Sequence, residues 1–421
     1  MANGDDGTAA AGAARVEARV LQPPGIRARA KGFADMFERS TGTTLTPLSV
    51  VIERLISPVR AIIDGRTTLM FGTNSYLGLN FDPACIEAAG EALHKFGAGS
   101  TASRVASGNQ RLHVELERAV AELYGRSDAI VFSTGFMANL GTIGGLVREG
   151  DLVALDAHCH ASIFDAVKLA GAKVLTFRHN DAADLRRIIE TSGIAASRTL
   201  VVVEGLYSVL GDVADLVAIS AVTNESGALL LVDEAHSLGL YGERARGIAE
   251  AQGVEDKVDI IVGTFSKSVG VVGGYCVTDD PAFRSLRFAA RAYLYTASLP
   301  PPVVAAATRG IGLIREDRLR RPRVWANAHA LHKGLVALGL SPAAPPGPVG
   351  AVRMPGIKPG LEMWRALLLK GVYVNMLIPP ATPSGDVVLR YSVSAAHTDE
   401  DIGLALSIIA EAGRETGVLA A

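Results

Sequence analysis

A lysine lies among small hydroxyl residues in the stretch Gly263-Thr-Phe-Ser-Lys-Ser-Val-Gly, directly after an apolar run that ends at Val262. Lysine is ordinarily a solvated surface residue, so a position at the end of a buried strand indicates a chemical role. An amine that is shielded from water can attack an aldehyde and form a Schiff base. Lys267 is therefore our first candidate catalytic residue.

Other reactive side chains also follow predicted strands. Asp233 and His236 close the stretch Leu229-Leu-Leu-Val-Asp-Glu-Ala-His, and His160 follows the apolar run that begins at Leu152. A tight turn at 133–137 follows another apolar run and is predicted to open a helix. Because functional residues of open α/β sheets collect where strands end, we expect these groups to meet in one site.

These residue types suit pyridoxal 5'-phosphate. A carboxylate such as Asp233 keeps the pyridine nitrogen protonated, and a flat ring such as His160 can stack on the pyridine. The N–H groups of residues 135–137, at a helix N-terminus, suit the phosphate. Thr264 and Ser266 add hydroxyl donors. The sequence therefore predicts this cofactor, with the lysine bound to its aldehyde.

Two rival motifs are weaker. His158-Cys159-His160 offers metal ligands, but no second ligand pair stands nearby in the sequence, so no metal is predicted. The stretch Gly97-Ala-Gly-Ser-Thr-Ala fits the G-x-G-x-x-A dinucleotide fingerprint, yet it follows the helix-like stretch 86–96 rather than a strand. A nicotinamide oxidoreductase is therefore disfavoured, and the glycines are expected to let a substrate or a partner subunit approach the backbone.

Short runs rich in Val, Leu and Ile alternate with helical patterns between residues 65 and 300. The runs are uniformly apolar, which is typical of strands that helices cover on both faces. The predicted strands are Ala129–Ser133, Leu152–Asp156, Lys173–Phe177, Thr199–Glu204, Leu229–Asp233 and Ile260–Gly263, with helices such as Ala182–Thr191 and Leu216–Ser226 between them. This pattern predicts an α/β fold whose mostly parallel sheet lies between helix layers.

The alternation of strand and helix patterns ends at Pro300-Pro-Pro. A long helical segment, a Pro/Gly-rich stretch at 341–350, a strand at Val387–Val393 and a final helix capped by Thr398 predict a smaller C-terminal α+β domain. We therefore divide the chain into an N-terminal tail and arm (1–60), a large cofactor-binding domain (61–300) and a small C-terminal domain (301–421). Residues 1–20, rich in Ala and Gly, are expected to form a mobile tail.

The composition is that of a soluble globular protein. Of the 421 residues 49% are hydrophobic and 20% charged, and a net charge of -2 provides no attraction for nucleic acid. Three cysteines do not indicate a disulfide framework. With neither a secretory signal nor an apolar run of about 18 residues, a cytoplasmic protein is expected. The basic run 315–323 is interpreted as a solvated helix end, with contact to the inner membrane face or to a carrier protein as the alternative.

The chain resembles the α-oxoamine synthases, fold-type I pyridoxal-phosphate enzymes that join an amino acid to an acyl thioester with loss of CO2. Matching segments run from Asn74-Ser-Tyr-Leu-Gly-Leu to Ala396-His-Thr, so the resemblance covers nearly the whole chain after about residue 45. The matching stretches include Phe132-Ser-Thr-Gly, His160-Ala-Ser-Ile, Glu204-Gly-Leu-Tyr-Ser-Val-Leu-Gly-Asp, Val232-Asp-Glu-Ala-His-Ser, Thr296-Ala-Ser-Leu-Pro, Tyr373-Val-Asn and Leu389-Arg-Tyr-Ser. The loop Pro379-Pro-Ala-Thr-Pro is typical of the serine-palmitoyl branch found in bacteria.

The resemblance implies a role for each matching residue. Lys267 would bind the cofactor and move the α-proton, and His236 would hydrogen-bond the cofactor's phenolic oxygen. Arg390 would bind the amino-acid carboxylate beside Asn74, and His160 would orient the amino acid. The cofactor-binding residues would be Gly135, Phe136, His160, Ser208, Asp233, His236, Thr264, Ser266, Lys267 and Thr296, the last reaching over from the second subunit of a homodimer. The catalytic residues would be Lys267, His160, Asp233 and His236.

The implied reaction is the first step of sphingolipid biosynthesis. L-serine and a long-chain acyl thioester, of coenzyme A or of a carrier protein, would give 3-ketodihydrosphingosine, CO2 and a free thiol. The alternative is an alanine- or glycine-using synthase that makes 8-amino-7-oxononanoate or 5-aminolevulinate. Ile378 stands where the serine-using branch has an arginine, which keeps that alternative open. A non-catalytic partner subunit would lack the Schiff-base lysine, so Lys267 disfavours that reading.

Overall fold

A computed structural model describes residues 25–41, 45–382 and 385–420. The predicted mobile tail at 1–20 and Pro383 of the proline-rich loop lie outside these ranges. The chain divides into two compact units, residues 1–44 and residues 45–421. In the first unit, helix α1 spans Ile26–Thr41 and carries an ion pair between Lys31 and Asp35 at 2.7 Å. The boundaries that we predicted at residues 60 and 300 stay predictions.

The second unit begins with a small sheet. Strands β1 (Arg54–Ser57), β2 (Arg60–Ile63) and β3 (Arg66–Met70) form an antiparallel meander. The tail and arm that we predicted for residues 1–60 included no strand. Strand β1 is exposed and short, so its sequence carries little of the apolar pattern by which strands are recognised.

A large sheet forms the centre of the unit. Its strands are β4 (Asp128–Phe132), β5 (Leu152–Asp156), β6 (Lys173–Phe177), β7 (Thr199–Glu204), β8 (Leu229–Asp233), β9 (Ile260–Thr264) and β10 (Gly274–Thr278). The order is β4-β10-β9-β8-β7-β5-β6, and the strands from β9 to β6 are parallel. Strand β10 is antiparallel to both neighbours. The predicted strands are confirmed; β10, which begins with a glycine, was not predicted.

The sheet is buried on both faces, as its apolar strands require. Along β7, Val201 and Val203 pack into one hydrophobic cluster, whereas Leu200 and Val202 pack into another. Successive side chains of a strand point to opposite faces, so the two clusters are the two helix-covered sides of the sheet. Each fully buried valine or leucine contributes about 1.5–3 kcal/mol through removal from water. Two-sided burial thus fixes the positions of the strand ends.

Helices cover the sheet and extend beyond it. They are α2 (Pro83–Phe96), α3 (Arg111–Tyr124), α4 (Gly135–Leu146), α5 (Ala161–Ala170), α6 (Ala182–Thr191), α7 (Leu216–Ser226), α8 (Ile248–Ala251), α9 (Leu286–Ala289), α10 (Arg291–Leu294), α11 (Pro301–Glu316), α12 (Arg320–Ala337), α13 (Ile357–Leu369) and α14 (Asp399–Glu415). Within the described ranges, no helix combines the length and apolar character needed to cross a bilayer.

A second small sheet follows near the C-terminus. Strands β11 (Val349–Met354), β13 (Asn375–Leu377) and β14 (Val387–Ser392) are antiparallel in the order β11-β14-β13, while the short β12 (Val372–Tyr373) pairs with β3. Thr398 caps α14 by accepting a hydrogen bond from the N–H of Asp401, as predicted. The α/β class with a smaller C-terminal sheet is therefore confirmed, and β14 carries Arg390 toward the large sheet.

Candidate active site

A cavity of about 280 Å³ lies where β4, β7, β8 and β9 end. Eight of the predicted site residues line it: Gly135, Phe136, His160, Asp233, His236, Thr264, Ser266 and Lys267. The cavity lies at the carboxyl edge of the parallel strands, where ligands of such sheets bind. Asn139, Ser162 and Glu204 also line it, although sequence reasoning gave them no role.

Lys267 supplies the nucleophilic group of this cavity. It lies just beyond β9, half-buried and open to the space that it lines. Removal from bulk water lowers the pKa of Lys267 to about 8, against the opposing attraction of Asp233. About a tenth of this amine is therefore uncharged at pH 7 and able to attack a carbonyl carbon, far more than for an ordinary lysine.

Asp233, the last residue of β8, is buried and held by two donors. Its carboxylate accepts hydrogen bonds from Nδ2 of Asn139 at 2.9 Å and from the N–H of Ala235 at 2.9 Å. Asn139 lies one turn into α4, and the same amide donates to Oγ of Ser162 at 3.0 Å. The amide therefore joins the carboxylate on β8 to the loop that carries His160.

His160 caps helix α5. Its Nδ1 accepts a hydrogen bond from the N–H of Ser162 at 3.2 Å and lies 2.8 Å from Oγ of the same serine. Because Nδ1 accepts from a backbone donor, we assign the ring proton to Nε2. Burial lowers the pKa of His160 and the charge of Lys267 lowers it further, against the pull of Asp233. The ring is thus neutral, flat and fixed in orientation.

The N-terminus of α4 forms the opposite wall. Thr134 accepts a hydrogen bond from the N–H of Met137 at 3.0 Å, and Gly135 and Phe136 begin the helix beside the cavity. A Cβ added to Gly135 would lie 2.9 Å from Cβ of Thr264, so only glycine fits there. Oγ1 of Thr264 lies 2.8 Å from Oγ of Ser266. A helix N-terminus flanked by hydroxyl groups attracts an anion such as phosphate.

A hydrogen-bond network connects the remaining predicted residues to the cavity. Nδ1 of His236 lies 2.7 Å from the hydroxyl of Tyr76, which donates to Oδ1 of Asn74 at 3.3 Å. Arg390 donates through Nη2 to the same Oδ1 at 3.1 Å and through Nε to the carbonyl of Ser208 at 2.6 Å. Burial lowers the pKa of His236 far below its ordinary value, and the charges of Lys267 and Arg390 add to this effect.

Ser208, Asn74 and Arg390 thus lie beside the cavity rather than in its lining. Ser208 lines an adjoining cavity of about 360 Å³ that shares His160 with the first. Thr296 lines a separate, small recess with Tyr293 and Ser298. Since we predicted that Thr296 acts from a second subunit, its role stays a prediction.

The donor set fits pyridoxal phosphate. Lys267 offers an amine for the aldehyde, Asp233 a buried carboxylate for the ring nitrogen, and α4 an anion site for the phosphate. The buried Oε1 of Glu204 accepts no hydrogen bond from any residue that the structure describes. Such an orphaned atom beside a cavity is expected where a ligand completes the hydrogen bonding.

A histidine cluster lies beside the second cavity. Ligand atoms of His158, His179 and Asp212 lie within 4.8 Å of one another. Nδ1 of His179 lies 2.8 Å from Asp156, and its Nε2 lies 2.5 Å from Asp212. Burial disfavours the charged ring, but these two hydrogen bonds raise the pKa of His179 to about 9. With both ring nitrogens protonated, His179 has no lone pair for a metal.

We interpret this cluster as a clamp that joins three loops. Asp156 also accepts hydrogen bonds from the N–H of His158 at 2.8 Å and of Asn180 at 2.9 Å. The rings of His158 and His179 stack with centroids 3.7 Å apart and planes inclined by 14°. We call Asp156, His179 and Asp212 the clamp. His158 packs against it through its ring and its N–H, so the clamp holds the segment that leads to His160. Sequence reasoning missed it because its members are far apart along the chain.

Comparison with protein-family models matches residues 66–409 to aminotransferase class I and II. The chain belongs to this family. Curated members of the family include the serine palmitoyltransferase of Caulobacter vibrioides, 46% identical over 387 residues that cover 92% of this chain and 96% of that protein. The serine palmitoyltransferase of Sphingomonas paucimobilis is 46% identical over 375 residues, 89% of each chain. The 8-amino-7-oxononanoate synthase of Geotalea daltonii is 38% identical, with 85% and 92% covered.

Solved structures of the family show the same fold. A serine palmitoyltransferase variant from S. paucimobilis with a bound PLP-myriocin aldimine superposes with a TM-score of 0.91 at 43% identity, covering 94% of this chain and all of that one. A structure described as serine palmitoyltransferase with the PLP internal aldimine gives 0.91 at 44% identity with the same coverage. The 8-amino-7-oxononanoate synthase of Francisella tularensis gives 0.71 at 26% identity, with 82% and 97% covered. The resemblance and fold class predicted from the sequence are confirmed.

Proposed function

We propose that the protein condenses L-serine with a long-chain acyl thioester, releasing CO2 and a free thiol and forming 3-ketodihydrosphingosine. The observation that carries this proposal is the meeting of Lys267, Asp233 and His160 in one cavity beside an anion-binding helix N-terminus. Relatives that cover nearly the whole chain and are named serine palmitoyltransferases support the choice of reaction. When bound, pyridoxal phosphate would supply an aldehyde that condenses with amines and a protonated ring that withdraws electrons from the amino-acid Cα.

Lys267 and Asp233 do the proton chemistry. The amine of Lys267, with a pKa of about 8, is available both as a nucleophile and as the base that takes the Cα proton of serine. Asp233 would keep a proton on the ring nitrogen of the bound cofactor, and Asn139 holds the carboxylate in place for that task. Asp233 ends β8 and Lys267 lies in the turn just beyond the neighbouring β9, so the two groups face the same cavity.

His160 and Arg390 orient the amino acid. The neutral ring of His160, held by Ser162, offers a flat face for stacking. Arg390 is buried and anchored by Ser208 and Asn74, which leaves its guanidinium a fixed donor for the serine carboxylate. Its charge lowers the pKa of Lys267 and His236, which indicates that it lies close to the cavity. Orientation by these two side chains places the Cα–H bond for removal.

The adjoining cavity is our proposed path for the acyl thioester. It is lined by apolar side chains, among them Phe164, Val209 and Ala381, and it opens onto His160. A second copy of the chain is expected to complete the site, because Phe136 and Tyr295 are exposed hydrophobic residues near the cavity wall and near Thr296. Dimerisation and the role of Thr296 are part of the proposal.

Membrane contact through the run 315–323 receives less support. Three of its arginines form ion pairs within the protein: Arg315 with Glu122 at 3.4 Å, Arg320 with Asp82 at 2.6 Å and Arg323 with Asp399 at 2.9 Å. Paired guanidinium groups are less available to anionic lipid. The described contacts therefore favour the solvated helix end over membrane contact.

The test is product analysis by mass spectrometry with serine, alanine or glycine and a panel of acyl thioesters. Serine with a long-chain thioester should give 3-ketodihydrosphingosine. Ile378, which is half-buried against the core and carries no charge, keeps the alanine- or glycine-using alternative open. Products formed from alanine or glycine alone would replace the proposed reaction with that alternative.

A further inference from the structure

One buried carboxyl group in the cavity has no part in the proposed reaction. Glu204 is the last residue of β7, is 3% exposed and pairs in register with Asp233 on β8. It lines the cavity together with Asp233 and Lys267. Its buried Oε1 accepts no hydrogen bond from the residues that the structure describes. A native protein rarely leaves such an atom without a partner, so a ligand is the expected partner.

The surroundings hold this carboxyl group in its neutral form. Asp233 faces it from β8, Lys267 from the segment after β9, and His160 from the segment before α5. Burial, then the negative charge of Asp233, raises the pKa of Glu204 well above its ordinary value, while Lys267 and the N–H groups of His160 and Ser208 oppose the shift. A neutral carboxyl group has an O–H that can donate a hydrogen bond.

The order of the strands decides which part of the cofactor Glu204 faces. The phosphate site lies at α4, after β4, and the ring nitrogen is expected at Asp233 on β8. Strand β7, which carries Glu204, lies on the other side of β8 from β4. In pyridoxal phosphate, the phosphate arm and the ring hydroxyl group flank the aldehyde carbon on opposite sides. The edge with the hydroxyl group therefore faces β7.

We propose that Glu204 is a further cofactor-binding residue, whose neutral carboxyl group donates a hydrogen bond to the ring hydroxyl oxygen of bound pyridoxal phosphate. This proposal rests on the proposed function only in requiring that cofactor. Glu204 would share the oxygen with His236, and it leaves Asp233 as the anionic partner of the ring nitrogen. The ring is then fixed at the nitrogen, the phosphate and the hydroxyl group.

The test compares Glu204→Gln and Glu204→Leu with the wild type. Glutamine keeps a neutral donor of the same shape, whereas leucine keeps the size and removes the donor. The dissociation constant of pyridoxal phosphate is measured by titrating it into cofactor-free protein, and the absorption spectrum of the bound cofactor is recorded across pH. We expect Glu204→Gln to bind pyridoxal phosphate within about twofold of the wild-type affinity and Glu204→Leu to bind it about tenfold more weakly. In Glu204→Leu the pH at which the absorption spectrum of the bound cofactor changes should also shift.

Glu234→Gln is the matched control. Glu234 is as buried as Glu204 and adjoins Asp233, but its oxygens accept hydrogen bonds from Ser237 and from the N–H groups of Ile248 and Ala249, away from the cavity lining. This variant should lower the unfolding temperature and leave the spectrum of the bound cofactor unchanged. Thermal unfolding of each cofactor-free protein separates lost folding from lost binding.

If Glu204→Leu does not fold, an infrared difference spectrum of the wild type and of Glu204→Gln tests the same proposal. Cofactor-loaded minus cofactor-free wild type should show a carbonyl band of a protonated carboxyl group that shifts on loading and that Glu204→Gln lacks. Unchanged affinity and spectrum in Glu204→Leu, no such band, or a Glu204→Gln as weak as the leucine variant would overturn the proposal. Wild-type protein that binds no pyridoxal phosphate would instead overturn the proposed function.

Discussion

Replacing His179 by glutamine tests the clamp that holds the segment before His160. Both ring nitrogens of His179 face carboxylates, Nδ1 toward Asp156 at 2.8 Å and Nε2 toward Asp212 at 2.5 Å. Glutamine is neutral at every pH. It therefore removes the positive charge between the two carboxylates without adding a negative charge that would repel them. The variant should therefore lose stability in proportion to the protonation of the native histidine.

The size of the loss follows from the pKa. In the folded protein the pKa of His179 is about 9, against an ordinary value of 6.5. A pKa that is raised by folding stabilises the protein fully below the unfolded-state value and loses this contribution as the pH rises through the folded-state value. The contribution is about 3 kcal/mol at pH 6, about 1 kcal/mol at pH 8 and less than about 0.5 kcal/mol at pH 9.

The assay is urea denaturation of wild type and His179→Gln at pH 6, 7, 8 and 9, followed by tryptophan fluorescence. The difference in the free energy of unfolding should shrink by about 2–3 kcal/mol from pH 6 to pH 9. His94→Gln, on the exposed side of α2, is the control, and its difference from wild type should stay within about 0.5 kcal/mol. A difference that is constant or grows with pH would refute the charged clamp, and one that appears only without a chelator would indicate a metal instead.

One pH profile and two substitutions provide further tests of the cavity. The rate at which cofactor-free protein captures pyridoxal phosphate should rise with pH through about 8, since burial lowers the pKa of Lys267 to that value; a rise centred near 10 would contradict the assignment. Asn139→Leu removes the donor to Asp233 and should weaken cofactor binding about tenfold, as measured by equilibrium titration; unchanged affinity would show that the amide is not needed. Gly135→Ala places a Cβ 2.9 Å from Thr264 and should weaken binding of pyridoxal phosphate but not of pyridoxal, whereas Gly144→Ala, in open space on the same helix, should change neither; equal losses for both ligands would argue against a phosphate site.

Much of this site could be predicted because parallel strands end at one edge of a sheet. Lys267, Asp233 and His160 each follow an apolar run, so their meeting follows from the strand pattern alone. Asn139 was missed because it lies inside a helix, where an asparagine has no distinctive signal. Glu204 was missed because its sequence position indicates only the last residue of a strand. What distinguishes it is that its Oε1 has no hydrogen-bond partner within the described part of the chain.

Other features depend on contacts between distant parts of the chain. The clamp joins Asp156, His179 and Asp212 from three separate segments, and no local pattern relates them. Strand β10 pairs antiparallel between β4 and β9, an arrangement set by the whole sheet rather than by its own residues. The role of Thr296 involves a second copy of the chain and stays a prediction.

The central claim is a covalent link between Lys267 and pyridoxal phosphate. The direct measurement is borohydride reduction of the cofactor-loaded protein, followed by proteolysis and mass spectrometry of the lysine-containing peptides. The account requires the reduced cofactor on the peptide that contains Lys267 and the loss of this label, with the visible absorption band, in Lys267→Ala. An unlabelled Lys267 peptide, or a label that persists on other lysines in the variant, would contradict it.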